Sequence, residues 1–194
     1  MTTFSSAEIV APLAPLIGLP VWGIRQLVGS FTYLEFGDPH LWIREPLNPD
    51  PALSPIVQKG LRQRRIWPEG VWSLTLYMCG WAIFLDSQQL GHCETPRDAI
   101  DRVWEDDVAG RKLESIRIDA QTSETVFTFE GGLEVRTWPL DSDHGQWRVG
   151  HKDGDSFALR GDGAFSKRKG NTPPSDYEWS KCDETPEIVI GRFH

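Results

Sequence analysis

Apolar and polar residues alternate along most of this chain. In the stretch Phe31–Phe36, Phe31, Tyr33 and Glu35 alternate with Thr32, Leu34 and Phe36, which is the two-residue period of a strand. Gly37-Asp38-Pro39-His40 has turn chemistry, and Leu41 and Ile43 bring the chain back on the same face, so Ser30–Glu45 reads as a β-hairpin. A second stretch, Glu124–Trp138, reads as a degenerate copy. Phe36 matches Phe129, Leu34 matches Phe127, Leu41 matches Leu133, Ile43 matches Val135 and Arg44 matches Arg136. Downstream, WSL at Trp72 answers WRV at Trp147, and GWAIFL from Gly80 answers GDSFAL from Gly154.

The same periodicity predicts strands at Val21–Val28, Leu113–Ala120, Thr125–Phe129, Leu133–Trp138, Trp147–Gly150 and Ser156–Leu159. An apolar hairpin around Gly80 is expected from Val71–Cys79 and Trp81–Asp86. The polar residues Arg148, His151, Lys152, Asp153 and Asp155 suggest that the second copy leaves this edge exposed. One helix is expected at Thr95–Val108. Thr95 is its cap and Pro96 its first residue, Ile100, Val103, Trp104 and Val108 form one stripe, and Gly110 stops it. A short second helix is expected at Ser54–Arg65, with Ile56, Val57 and Leu61 inward.

The predicted fold is mainly β (α+β): two pseudo-repeated antiparallel meander units joined by one amphipathic helix and packed as a single domain. Residues 1–20 read as an extended arm broken by Pro12, Pro15 and Pro20. Residues 21–94 form the first unit, with a basic insertion at 46–68. Residues 95–110 form the helix and 111–165 the second unit. Residues 166–194 comprise a polar, mobile loop, SKRKGNTPPS, and a tail whose Ile188-Val189-Ile190 supplies an edge strand.

Composition narrows the function. The 194 residues carry a formal charge of −8, which works against sequence-independent nucleic-acid binding and against anionic membrane, and favours a basic protein partner. Three cysteines, Cys79, Cys93 and Cys182, have no CxxC spacing, so reduced thiols in the cytoplasm are expected. The apolar run Ile9–Trp22 lacks a basic leader and is cut by prolines, so neither a signal peptide nor a membrane span is expected.

Candidate chemistry is sparse. No nucleophile elbow, GxGxxG or P-loop is present, so no cofactor is implied. His92-Cys93 are adjacent, but neighbours on a strand point to opposite faces. Asp141, Asp143, Asp153 and Asp155, with His144, are a candidate metal set on two loops, and Asp-Gly-Asp is also ordinary turn chemistry. Glu35, Glu130 and Glu134 lie on strands, where paired carboxylates or plain solvent-facing acids both fit. Two charged surfaces are candidate contacts for a partner. One is the acidic ridge Asp98, Asp101, Glu105 and Asp106, and the other is the basic patch Arg62, Arg64 and Arg65 with Lys59, beside Trp67.

The segments GSFTYLEFGDPHLWIRE, WSL, FTFEGGLEVRTW and WRV resemble a group of small bacterial β-rich proteins of the immunity-protein type, over roughly Leu19–Phe165. The insertion at 46–68 and the tail after Ser166 lie outside that pattern. The resemblance implies a cytoplasmic, non-enzymatic protein of a bacterial conflict system that neutralises a toxin or effector protein by stoichiometric binding. Two other readings stand beside it: a small β-fold enzyme or ligand- or metal-binding protein using the loops at 141–155, and a structural subunit of a larger defence assembly.

Overall fold

The computed structural model describes residues 3–27, 29–169, 172, 177–182 and 186–191. Within them the chain is mainly β, as its alternation predicts, and its strands form two six-stranded antiparallel sheets. The first sheet runs, in spatial order, β1 (Val21–Gln26), β2 (Thr32–Arg44), β3 (Arg65–Leu76), β9 (Gly145–His151), β10 (Ser156–Arg160) and β11 (Phe165–Arg168). The second runs β12 (Glu187–Gly191), β6 (Leu113–Asp119), β7 (Thr125–Phe129), β8 (Leu133–Pro139), β4 (Cys79–Leu85) and β5 (Gln88–His92). Their inner faces share one core that includes Leu34, Phe36, Leu74, Trp81, Ile83, Phe127, Phe129, Val135, Trp147 and Phe157.

A quasi-twofold relates the halves. The β1–β2 register Val21↔Phe36, Ile24↔Leu34, Gln26↔Thr32 reappears in β6–β7 as Leu113↔Phe129, Ile116↔Phe127, Ile118↔Thr125, with an irregularity at the same first step. The segments preceding β1 and β6 bond to each other reciprocally. Gly18 N–H donates to Leu113 and Gly110 N–H to Val21, while Leu113 N–H donates to Leu19 and Val21 N–H to Arg111. Phe36 stacks on its counterpart Phe129, with ring centroids 6.5 Å apart. Gly18 and Gly110 have φ of +85° and +88°, a left-handed turn that glycine adopts without strain, so each half opens the same way after a helix.

The duplication therefore stands, but several matches drawn from the sequence do not. β2 continues to Arg44 through an irregularity at Gly37-Asp38 instead of turning back, so Ser30–Glu45 is no hairpin. The counterparts of Leu133 and Val135 are Trp72 and Leu74 on β3, since these face Phe36 and Leu34 as the former face Phe129 and Phe127. Trp147 answers Trp81, because both open the strand that joins the sheet built by the other half. A two-residue period looks alike in every strand, so a slip by a whole strand leaves the pattern unchanged.

The expected hairpin around Gly80 is also absent. The chain crosses between sheets at Tyr77-Met78, with Met78 at φ +51°, placing β3 in one sheet and β4 in the other. Each half thus builds a three-stranded meander and sends the strands that follow into the opposite sheet, β4 and β5 from the first half and β9, β10 and β11 from the second. β9 consequently lies between β3 and β10, so the second half does not expose that edge.

The described part of the expected arm, residues 3–20, is built around a helix rather than extended. A capping box at Ser5 and Glu8 starts α1 (Ser6–Leu13), which runs into a 3-10 turn at Ala14–Leu16. Pro12 sits in the last turn of α1 and Pro15 early in the 3-10 turn. Ile9, Leu13 and Leu16 are fully buried. The helix between the halves is α3 (Arg97–Arg102), continued by a π-helical turn at Val103–Val108. Ile100, Trp104 and Val108 are buried as the stripe predicts. Thr95 does not cap it; its hydroxyl accepts from His92 N–H and closes the preceding turn. This helix opens the second half as α1 opens the first.

Ser166–Arg168 of the expected loop belong to β11, paired with β10, while residues 170–171 and 173–175 of that loop lie outside the described residues. The expected edge strand is present, as β12 on β6. Among the described residues no helix is long and apolar enough to cross a membrane.

Candidate partner-binding surface

The meanders differ most at their middle turn. β7 and β8 close through Glu130-Gly131-Gly132, whereas β2 and β3 continue as a two-stranded arm, Pro39–Arg44 against Arg65–Gly70. Beyond it, Ser54 caps α2 (Pro55–Leu61) by accepting from Val57 N–H. The arm is internally fixed. Trp42 and Trp67 stack with centroids 4.1 Å apart, and Arg44 Nη2 donates to the Gly60 carbonyl at 2.6 Å and the Gln63 carbonyl at 3.1 Å. Arg64 Nε pairs with Glu45 Oε1 at 3.0 Å.

Its apolar side chains face solvent. Of the ten exposed large hydrophobic residues among those described, seven lie here: Leu41, Ile43, Leu47, Leu53, Ile56, Val57 and Ile66. Ile56 is 85% exposed and Leu41 66% exposed. This corrects the expectation that Leu41 and Ile43 face a core and that Ile56, Val57 and Leu61 point inward, since α2 has no buried residue. The cause is geometric: the arm extends past the end of the second sheet's shorter β7–β8 turn, so among the described residues no part of that sheet lies opposite it. The insertion at 46–68 was the available signal, because residues that one half has and the other lacks find no partner in a core built on the shared part.

The other candidates disperse. Asp98, Glu105 and Asp106 are exposed on the helix, and Asp101 is engaged by Arg97 at 3.5 Å. Asp141 accepts from Asp143 N–H and lies 3.3 Å from His144 Nδ1, while Asp153 lies 3.3 Å from His151 Nδ1. These are turns closing on themselves, and among the described residues no group of three or more His, Cys, Asp or Glu is placed to hold a metal. Asp141, Asp143, Asp153 and Asp155 are therefore not brought together. His92 Nδ1 accepts from Glu94 N–H. Glu130 pairs with Lys112 and Glu134 with Arg136.

Glu35 stands apart. Its side chain is 4% exposed at the root of the arm, where Oε1 accepts from Arg25 Nη2 and Oε2 from Gly70 N–H, both at 3.1 Å. Burial pushes its pKa above the ordinary glutamate value, against the opposing pull of the Gly70 bond and Arg25. A carboxyl whose pKa rises on folding binds its proton more tightly in the native state. It favours folding most below the unfolded value, and that contribution is lost as pH rises through the folded one. We expect Glu35→Gln, which keeps an acceptor for Gly70, to flatten this part of the profile. Thermal denaturation of both proteins across the acidic range reads it, and superimposable pH profiles would contradict it.

The three cysteines are free. Burial pushes the Cys79 thiol up to about 12, and its Sγ lies 3.2 Å from the Gln146 carbonyl. Thiolate is the reactive form, so iodoacetamide should label half-buried Cys93 and Cys182 in the native protein and Cys79 only as the chain unfolds. Peptide mass spectrometry over a time course checks this; native labelling of Cys79 at the pace of the others would contradict it.

Comparison with models of known protein families, with curated protein sequences and with solved structures found no match to this chain.

Proposed function

We propose that this chain is a non-enzymatic binding protein that engages one protein partner stoichiometrically through the β2–β3 arm and α2, in the manner of an immunity or antitoxin protein acting in the cytoplasm. The observation that carries the reading is the concentration of exposed aliphatic side chains on this internally fixed element. A contiguous exposed apolar surface rimmed by charge marks an interaction site, since water contact costs about 25 cal/mol per Å² of apolar area that a partner removes.

The charge on the arm sets the partner's chemistry. Between His40 and Gly70 there are five cations, Arg44, Lys59, Arg62, Arg64 and Arg65, against three acids, Glu45, Asp50 and Glu69, while the whole chain carries −8. The complement is an apolar surface with an acidic rim, and the basic patch expected from the sequence forms the border of the contact. The acidic ridge on α3 then serves solubility and orientation at encounter.

The test replaces Leu41–Pro68 by the Glu-Gly-Gly turn that closes β7–β8. The shortened protein should fold, because the turn it receives already serves the quasi-equivalent meander, and it should lose a partner that the intact protein captures as a 1:1 complex from its native cell. Capture of the same partner in equal yield by both proteins would refute the arm as the contact.

A further inference from the structure

The halves differ again at one sheet edge. β6 carries β12 along its outer side, in the register Ile188↔Ile118 and Ile190↔Ile116. Its counterpart β1 has β2 on one side and no described strand on the other. Gln26 and Ile24 stand where Ile118 and Ile116 stand. α1 lies alongside β12, while the π-helical turn touches β1 itself, and a groove opens between the helix and Ile24, Arg25, Gln26 and Leu27. Two clefts of about 240 and 500 Å³ share Ile24, Arg25, Trp104 and Glu105. The groove therefore occupies the place that β12 fills in the other half.

Its walls combine an outward backbone edge, met at Gln26 by Arg97, with unmet side-chain hydrogen-bonding capacity. The Gln26 carbonyl turns away from β2 and accepts from Arg97 Nη2 at 2.7 Å, and strand alternation turns the N–H and C=O of Ile24 to the same outer edge. Gln26 is 8% exposed and Trp104 1% exposed, both line the groove, and Gln26 Oε1 and Trp104 Nε1 have no hydrogen-bond partner among the described residues. An acceptor and a donor buried without partners destabilise the free protein until something supplies them.

We infer that this groove is a strand-addition site for an extended segment of a partner protein, running antiparallel to β1 with an aliphatic residue opposite Ile24 and an amide or hydroxyl residue opposite Gln26. The chain's own β12 supplies the template for the register. It is itself committed to β6, and Gln26 in place of Ile118 changes the preferred residue at one position from aliphatic to polar. The site does not rest on the arm reading.

The probe is a synthetic peptide of residues Glu187–Gly191 carrying Ile188→Gln, titrated into the isotope-labelled full chain. Saturable NMR shifts are expected at the Ile24 and Gln26 amides and the Trp104 indole N–H. The unmodified peptide should bind more weakly. Ile24→Pro, tolerated on an edge because only an outward N–H is lost, should weaken binding about tenfold with the rest of the spectrum retained. Absence of shifts at millimolar peptide would overturn the inference. So would shifts confined to Ile116 and Ile118, which would mean displacement of β12, or a doubled mass without peptide, which would put a second copy on the edge.

Discussion

Divided after Glu94, the chain should yield two fragments that stay unfolded alone and fold together. The cut falls in an exposed turn between β5 and α3, so no ladder is broken at the point of division. What separates is the exchange between halves. β3 pairs with β9 from Trp72↔His151 to Leu76↔Trp147, and β4 pairs with β8 from Cys79↔Pro139 to Leu85↔Leu133. Each ladder joins the first fragment to the second. The first fragment keeps three adjacent strands of one sheet and two of the other, and the second keeps four and three, with the inner edge of each bare and apolar. Folded domains have only about 5–15 kcal/mol of net stability, so losing both central ladders and half the facing core exceeds the margin. Circular dichroism and NMR of each fragment, then of the mixture, read the outcome. A dispersed native-like spectrum from either fragment alone would show that the halves fold independently and that the exchange adds little.

Trp147→Ala should cost about 3–5 kcal/mol, the usual range for removing a fully buried tryptophan. Trp147 packs edge-on to Phe127 at 6.0 Å and lies 6.4 Å from Phe157, so it ties the second sheet to the first. Its Nε1 donates to Thr125 Oγ1 at 2.9 Å, and the truncation leaves that hydroxyl buried without a donor. Trp81 stands at the quasi-equivalent position, its Nε1 donating to the Ser30 carbonyl at 2.7 Å, and Trp81→Ala should cost a similar amount. Trp42 on the arm is a control. It is half-buried and stacked on Trp67 outside the shared core, so Trp42→Ala should cost about 0.5–1.5 kcal/mol. Urea denaturation at constant m-value ranks the three. A loss under about 1 kcal/mol for Trp147→Ala, or a greater loss for Trp42→Ala, would remove the two buried indoles from their place as the bolts between the sheets.

Much of this was legible in the residues. Alternation located β1, β6, β7, β8, β9 and β10 to within a residue or two, because a side chain's face in a strand depends only on its parity. The helical stripe Ile100, Trp104, Val108 survived even though the last turn widened to π geometry, since burial of the stripe does not depend on which carbonyl each N–H reaches. The likeness of Leu34-x-Phe36 to Phe127-x-Phe129 was real and marks the axis of the duplication. The helix at Ser6–Leu13 is masked in the sequence by its prolines, and the capping box of Ser5 and Glu8 is the signal that marks it. The exposed face of the arm was missed because Leu41, Ile43 and Ile66 keep the parity of buried residues.

The sequence by itself determined the fold class, the two-residue rhythm of nearly every strand and the presence of a duplicated unit. These follow from local sterics and from which face each side chain must take. Only the tertiary structure decided which strands are neighbours, that the halves exchange their later strands, and that among the described residues the arm faces solvent and β1 has no strand on its outer side. Strand pairing is a choice among edges of nearly equal local energy, and the shared burial of distant residues is what settles it.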